Sequence, residues 1–271
     1  MEKESLVSVF NEMKSIIPDL SGKETTFSLK EFECFLTAMR KKALDKAQEN
    51  AKSIDRDHPM FGPVNLLRPM GRGRDELSYT KLLAYFLNPE ESHGFGGKIT
   101  YAFLNEIFGS EFEYDQISVA SEYYCNTDSR IDLWITGEYD VGSPEKQKFL
   151  VITEAKVDAS VDENQLSRYS ECARVWVNDN PSGMVQKVLL IPDNKNSKGI
   201  KDWQELSFSN MANLIWGVIK DEKEQPGFHY IRFYLTSIYQ DVLGWDLNQD
   251  PVRTPYSYLT AFIPFDSKVE N

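Results

Sequence analysis

The segment Phe149-Leu150-Val151-Ile152-Thr153-Glu154-Ala155-Lys156-Val157 constrains this chain more than any other. It is a nearly continuous run of β-favouring apolar residues, which predicts a strand covered on both faces at the centre of a sheet. Yet it carries a carboxylate and an ammonium. Residues two apart on a strand point to the same face, so Glu154 and Lys156 share a face with Leu150 and Ile152. Charges in such a place are costly to bury unless they are paired or bind something.

The preceding segment, Ser129-Arg130-Ile131-Asp132-Leu133-Trp134-Ile135, supplies a third member. Alternation sets Ile131, Leu133 and Ile135 on one face and Arg130, Asp132 and Trp134 on the other. If the two strands pair antiparallel across the polar connection from Gly137 to Lys148, Asp132 lies beside Glu154. Facing carboxylates raise each other's pKa unless a cation intervenes. Hard oxygen donors of this kind suit Mg²⁺ or Mn²⁺. Such an ion would bind a phosphodiester oxygen and lower the pKa of a water, while Lys156 orients that water or neutralises a pentavalent phosphate. Glu-x-Lys alone is a common surface ion pair. The apolar run around it and the Arg-Ile-Asp strand before it point to a catalytic centre of Asp132, Glu154 and Lys156.

The flanking periodicities give an order of elements. Leu6, Phe10, Met13 and Ile17 recur at helical spacing. Ser28 and Glu31 form a capping box before Phe32, Phe35, Leu36 and Met39, and the charged stretch from Arg40 to Lys52 is expected to be solvated. A loop rich in Pro and Gly follows. A helix is predicted from about Asp75 to Asn88, and another with Ile99, Phe103 and Ile107 inward. Strands are predicted near 117–125, 129–136 and 148–157, then a helix from Asp162 to about Val177 and a strand from Val185 to Ile191. Met211–Ile219 and Tyr230–Leu243 read as two more helices. The expected division is an N-terminal helical extension over 1–70, a catalytic core over 71–195 and a C-terminal helical extension over 196–271.

Asp132 followed by Glu154-Ala155-Lys156 on the next strand resembles the signature of the PD-(D/E)XK nucleases. The order helix, three strands, helix, strand resembles the αβββαβ core of that superfamily. The resemblance implies an α/β, restriction-endonuclease-like fold with a mixed sheet and helical extensions at both termini. One branch of the family is more similar still. It has an acidic residue opening a helix that ends in a Leu-Asn-Pro turn with a following His-Gly, here Glu76 through Leu87-Asn88-Pro89 and His93-Gly94. It also carries Gln-Leu-x-x-Tyr after the Glu-x-Lys strand, here Gln165-Leu166-Ser167-Arg168-Tyr169. The resemblance spans roughly 75–192. Ala155 stands where Asn is frequent, but only its backbone carbonyl would be needed for the metal.

The resemblance further implies Glu76 as an additional metal or water ligand; a plain acid in a helix first turn is the other reading. Gln165 either touches the catalytic water or the substrate phosphate, or completes a capping box with Asp162. Tyr169, one turn further on, packs in the core or reaches the site with its hydroxyl. Arg130 meets phosphate or forms a surface ion pair. Arg72 and Arg74, with Arg68, lie in a loop that either tracks a phosphate backbone or is merely solvated. Lys195, Lys198 and Lys201 stand on the same terms. His93 reads as a turn residue.

Composition limits the function classes. The net charge of −12 argues against coating nucleic acid by charge alone, but local basic patches and a divalent cation can reverse the field where a phosphate sits. No apolar stretch approaches the roughly 18 residues of a membrane span, and the acidic N-terminus lacks the pattern of a signal peptide. Cys34, Cys125 and Cys172 are an odd number at spacings unlike a disulfide framework, which predicts reduced thiols and a cytoplasmic protein. The expected activity is metal-dependent hydrolysis of phosphodiesters in nucleic acid, DNA favoured by analogy of fold, in restriction or phage defence. The rival is an idle nucleic-acid-binding or partner-recruiting module on the same fold. A homo-oligomer or a protein partner held through the helical extensions is also compatible.

Overall fold

The computed structural model describes residues 29–245 apart from 53–56, 63, 128, 141, 143–145, 159 and 194–199. The helix expected over 3–17, the capping box at Ser28, Lys195, Lys198 and the tail after Trp245 lie outside the described residues. Among the described residues the helices are α1 (Leu29–Ala51), α2 (Glu76–Leu87), α3 (Lys98–Phe108), α4 (Glu163–Asp179), α5 (Phe208–Ile219) and α6 (Phe228–Ser237), which continues as a π-helical turn (Ile238–Val242). The strands are β1 (Glu113–Asn126), β2 (Ser129–Asp140), β3 (Gln147–Ala155), β4 (Met184–Ile191) and β5 (Gln204–Ser207).

The strands form one sheet in the order β1-β2-β3-β4-β5. Neighbours pair antiparallel from β1 to β3 and parallel from β3 to β5, so the sheet is mixed. The parallel step from β3 to β4 requires a crossover, and α4 supplies it. The continuously apolar β3 lies at the centre, with Phe149, Leu150, Val151 and Ile152 fully buried. The helix, three strands, helix, strand order read from the sequence is present. The β2–β3 strands extend further than expected, to Asp140 and from Gln147, which shortens the predicted Gly137–Lys148 connection. The segment after 196 was expected to be helical only. It contributes β5, too short at four residues to stand out against the helical pattern that follows.

Each face of the sheet has its own cluster. Leu133, Ile135, Phe149 and Val151 pack with α2, α3, α5 and α6. Trp134, Leu150, Ile152 and Leu189 pack with Leu166, Tyr169, Cys172 and Ala173 of α4. Ile131, expected with Leu133 and Ile135, joins the Trp134 cluster instead, so the alternation of β2 breaks at Asp132. A second correction concerns α1. Its predicted apolar face leaves Phe35 and Met39 exposed, whereas the charged half expected to be solvated buries Leu44 and Ala47 in the main cluster. Small apolar residues between charged positions allow that close approach. None of the described helices is long and apolar enough to cross a membrane.

Candidate active site

The site lies where β2 and β3 end beside the start of α2. The β2–β3 register runs through Leu133↔Thr153, so the next position brings Asp132 alongside Glu154. Asp132 Oδ2 accepts the Ala155 N–H at 2.9 Å, which fixes its carboxylate to β3. Glu154 is 1% exposed. Its Oε1 takes a hydrogen bond from Lys156 Nζ at 2.5 Å. Its Oε2 is buried with no hydrogen-bond donor, although the Asp132 carboxylate is within hydrogen-bonding reach. Two ionised carboxylates both accept, so the pair is satisfied only by a shared proton or a cation.

The electrostatics follow. Burial, then the charge of Asp132, pushes Glu154 up to about 8. Burial also raises Asp132, against the lowering effect of the Ala155 N–H and Lys156. Burial pulls Lys156 down, but Glu154 more than offsets this and holds the ammonium above its ordinary value. The Asp132–Glu154 pair therefore holds a proton more tightly than a free carboxylate, and Lys156 stays charged.

Glu76 is the third acid. It opens α2, and its Oε1 accepts the Val157 N–H at 2.8 Å while its Oε2 lies 3.8 Å from Lys156 Nζ. Both Glu76 oxygens are directed to the Lys156–Val157 turn. Among the described residues no three His, Cys, Asp or Glu side chains gather closely enough to cage an ion. A magnesium-type ion commonly uses one or two carboxylates, with substrate and water completing its shell. The orphaned Glu154 Oε2 and the facing Asp132 carboxylate fit that donor set, and the Ala155 carbonyl is the nearest backbone donor in sequence.

Tyr169 and Gln165 sit over the same end of the sheet. The Tyr169 hydroxyl donates to the Arg130 carbonyl and accepts from Gln165 Nε2 at 2.7 Å. Tyr169 is 2% exposed, and its hydroxyl is engaged by these two partners. Burial and then Glu154 raise its hydroxyl, so it remains protonated. It positions Gln165 and the Arg130 backbone. Asp162 caps α4 by accepting the Asn164 N–H, so the cap does not require Gln165. His93 is a turn residue: Nε2 donates to the Asn88 carbonyl at 2.9 Å and Nδ1 accepts the Phe95 N–H at 3.1 Å.

The arginines proposed for phosphate are all ion-paired. Arg72 bonds Asp75, Arg74 bonds Asp158 just beyond Lys156, and Arg68 bonds Asp241. Arg130 meets Glu122 at 3.0 Å. Glu122, which sequence reasoning passed over, also holds Lys81 at 2.6 Å. A further correction concerns the thiols. Cys125 on β1 and Cys172 on α4 are bridged, with 6.1 Å between Cα atoms, and Cys34 is free and exposed. The separation of 47 residues hid the pair, because only the β1–α4 packing brings them together.

Two comparisons with known proteins give a match. The family model of the PD-(D/E)XK nuclease superfamily matches residues 64–246. A solved structure, the MspJI restriction endonuclease in complex with a 27-mer oligonucleotide, is similar at 16% identity and a TM-score of 0.21. That similarity covers 69% of this chain and 35% of the endonuclease, so the chain spans little more than a third of its length. No curated protein matches the chain.

Proposed function

We propose that this chain, which belongs to the PD-(D/E)XK nuclease superfamily, hydrolyses phosphodiester bonds in DNA at the centre formed by Asp132, Glu154 and Lys156. The observation that carries this reading is the buried Asp132–Glu154 pair with its orphaned oxygen and adjacent Lys156. A pair of this kind destabilises the fold unless it serves a ligand. Nucleases of this superfamily generally use divalent metals. Asp132 and Glu154 would hold Mg²⁺ or Mn²⁺, with the Ala155 carbonyl as a further donor. The ion supplies charge to a phosphodiester oxygen and acidity to a water.

The protein's own groups do the rest. Lys156 stays protonated beside Glu154 and places a compact positive charge where the phosphorane develops. Glu76 holds the Lys156–Val157 turn and adds a second carboxylate near the ammonium. Tyr169 ties α4 to β2 and presents Gln165 toward the site, where its amide carbonyl can orient a water. Arg74 reaches the rim through Asp158. A restriction-like or phage-defence role is the setting such an activity fits, by analogy of fold alone. Incubating the protein with duplex DNA, single-stranded DNA and RNA, each with Mg²⁺, Mn²⁺ or chelator, tests the reading. Metal-dependent cleavage of DNA supports it; no cleavage of any substrate with any metal overturns it.

A further inference from the structure

Beside the catalytic carboxylates the edge strand β1 carries an unusual feature. Glu122 has a positive φ of 53°, a left-handed conformation that non-glycine residues rarely adopt. The β1–β2 register, Ser121↔Leu133 and Tyr123↔Ile131, sets Glu122 at the position facing Asp132. The turn of backbone there separates the two tyrosines that follow. Tyr123 stacks on Trp134 with ring centroids 4.4 Å apart. Tyr124 pairs across the strands with Arg130 and stands 63% exposed. Glu122 meanwhile gathers Lys81 from α2 and Arg130 from β2 on one carboxylate. Arg130 is also within electrostatic range of Asp132. Strained backbone of this sort concentrates at functional sites.

We infer that Tyr124, Arg130 and Lys81 form a binding strip for an unpaired DNA strand leading to the catalytic carboxylates. The inference rests on the nuclease reading above and adds a substrate class to it. An exposed ring paired with Arg130, which Glu122 joins to Lys81, matches what a single strand offers: a free base face for stacking and phosphates at the next positions. In a duplex the bases are already stacked, so the Tyr124 ring has no face to meet. Glu122 holds the two side chains in place and keeps their charge from attracting polyanions at random. The bridge from Cys125 to Cys172, at the residue after Tyr124, anchors this end of β1 to α4.

The test uses the whole chain in Ca²⁺, with a short fluorescent single-stranded DNA and a duplex of the same sequence, and reads anisotropy. Wild type should bind the single strand more tightly. Tyr124→Ala should weaken single-strand binding by about tenfold or more and leave duplex binding nearly unchanged. Tyr124→Phe should keep the single-strand affinity, which separates stacking from a folding defect. Glu122→Gln should tighten binding at low salt and steepen its salt dependence. Equal loss on both substrates in Tyr124→Ala, or no preference in wild type, overturns the strip. If wild type still cleaves DNA in Mg²⁺, that result leaves the nuclease reading intact. A protein that neither binds nor cleaves any DNA overturns both.

Discussion

Asp132 accepts its hydrogen bond from the Ala155 N–H, one peptide beyond Glu154, so one carboxylate of the candidate site is anchored to the strand that carries the other. The Asp132 side chain is thereby tied to the sheet, and Lys156 Nζ holds that of Glu154. The closeness of the two charges is therefore built into the β2–β3 register, and its consequences are measurable.

The metal-free protein should lose stability as pH rises. Glu154 moves from an ordinary value near 4.5 up to about 8, through burial and then Asp132. A raised carboxyl carries no penalty below its unfolded value, a growing one between the two values and the full one above the folded value. Asp132, also raised, adds the same sign. Lys156 contributes stability that is lost only as pH rises through its own raised value, beyond this window. Melting temperature in chelator should fall from about pH 5 to about pH 9, and Asp132→Asn should flatten the slope. Divalent affinity by calorimetry should rise over the same range, with proton release. Stability that climbs with pH in this window would contradict the arrangement.

Glu76 is expected to act through Lys156 and the backbone. Glu76→Gln keeps an acceptor for the Val157 N–H and should fold like wild type, with cleavage reduced by about 10–100-fold, as for other supporting groups around a metal site. Glu76→Ala leaves that N–H unpaired and should cost about 1–3 kcal/mol in denaturant unfolding. Equal stability of the two variants would show that the hydrogen bond is unimportant.

Tyr169→Phe removes the donor to the Arg130 carbonyl and the acceptor for Gln165. The expected loss is about 1 kcal/mol of stability, with activity down by about tenfold as Gln165 loses its anchor. An unchanged turnover rate would remove Gln165 from the mechanism.

The Cys125–Cys172 bridge closes a loop that contains Asp132, Glu154, Lys156, Gln165 and Tyr169. Thiol titration of the unfolded, unreduced protein should find Cys34 alone, and reduction should lower stability by about 2–4 kcal/mol. Titration of all the cysteines without reductant would show that the pair is open.

Much of this site was legible because it follows from periodicity. A buried central strand announces itself by continuous apolar residues, and a charge at its end by contrast. Once β2 and β3 are taken as antiparallel neighbours, the meeting of Asp132 and Glu154 follows from side-chain alternation. What stayed hidden depends on tertiary packing. The left-handed turn at Glu122 has no glycine to mark it, and the shift of Ile131 to the Trp134 cluster accompanies it across the strands. Ion pairing of Arg74 with Asp158 and of Arg130 with Glu122 needs partners that only the fold selects. Cys125 and Cys172 meet because α4 crosses the sheet over the end of β1, which no local pattern encodes.

Asp132, Glu154 and Lys156 are proposed to form a metal-dependent nuclease centre. It is tested most directly by single-turnover cleavage of labelled DNA by wild type, Asp132→Asn and Lys156→Met, in Mn²⁺ and in chelator. Wild type should cleave in Mn²⁺ only, with each variant folded and slower by at least about 10²–10³-fold. Cleavage that persists in chelator, or folded variants that cut at the wild-type rate, would contradict it.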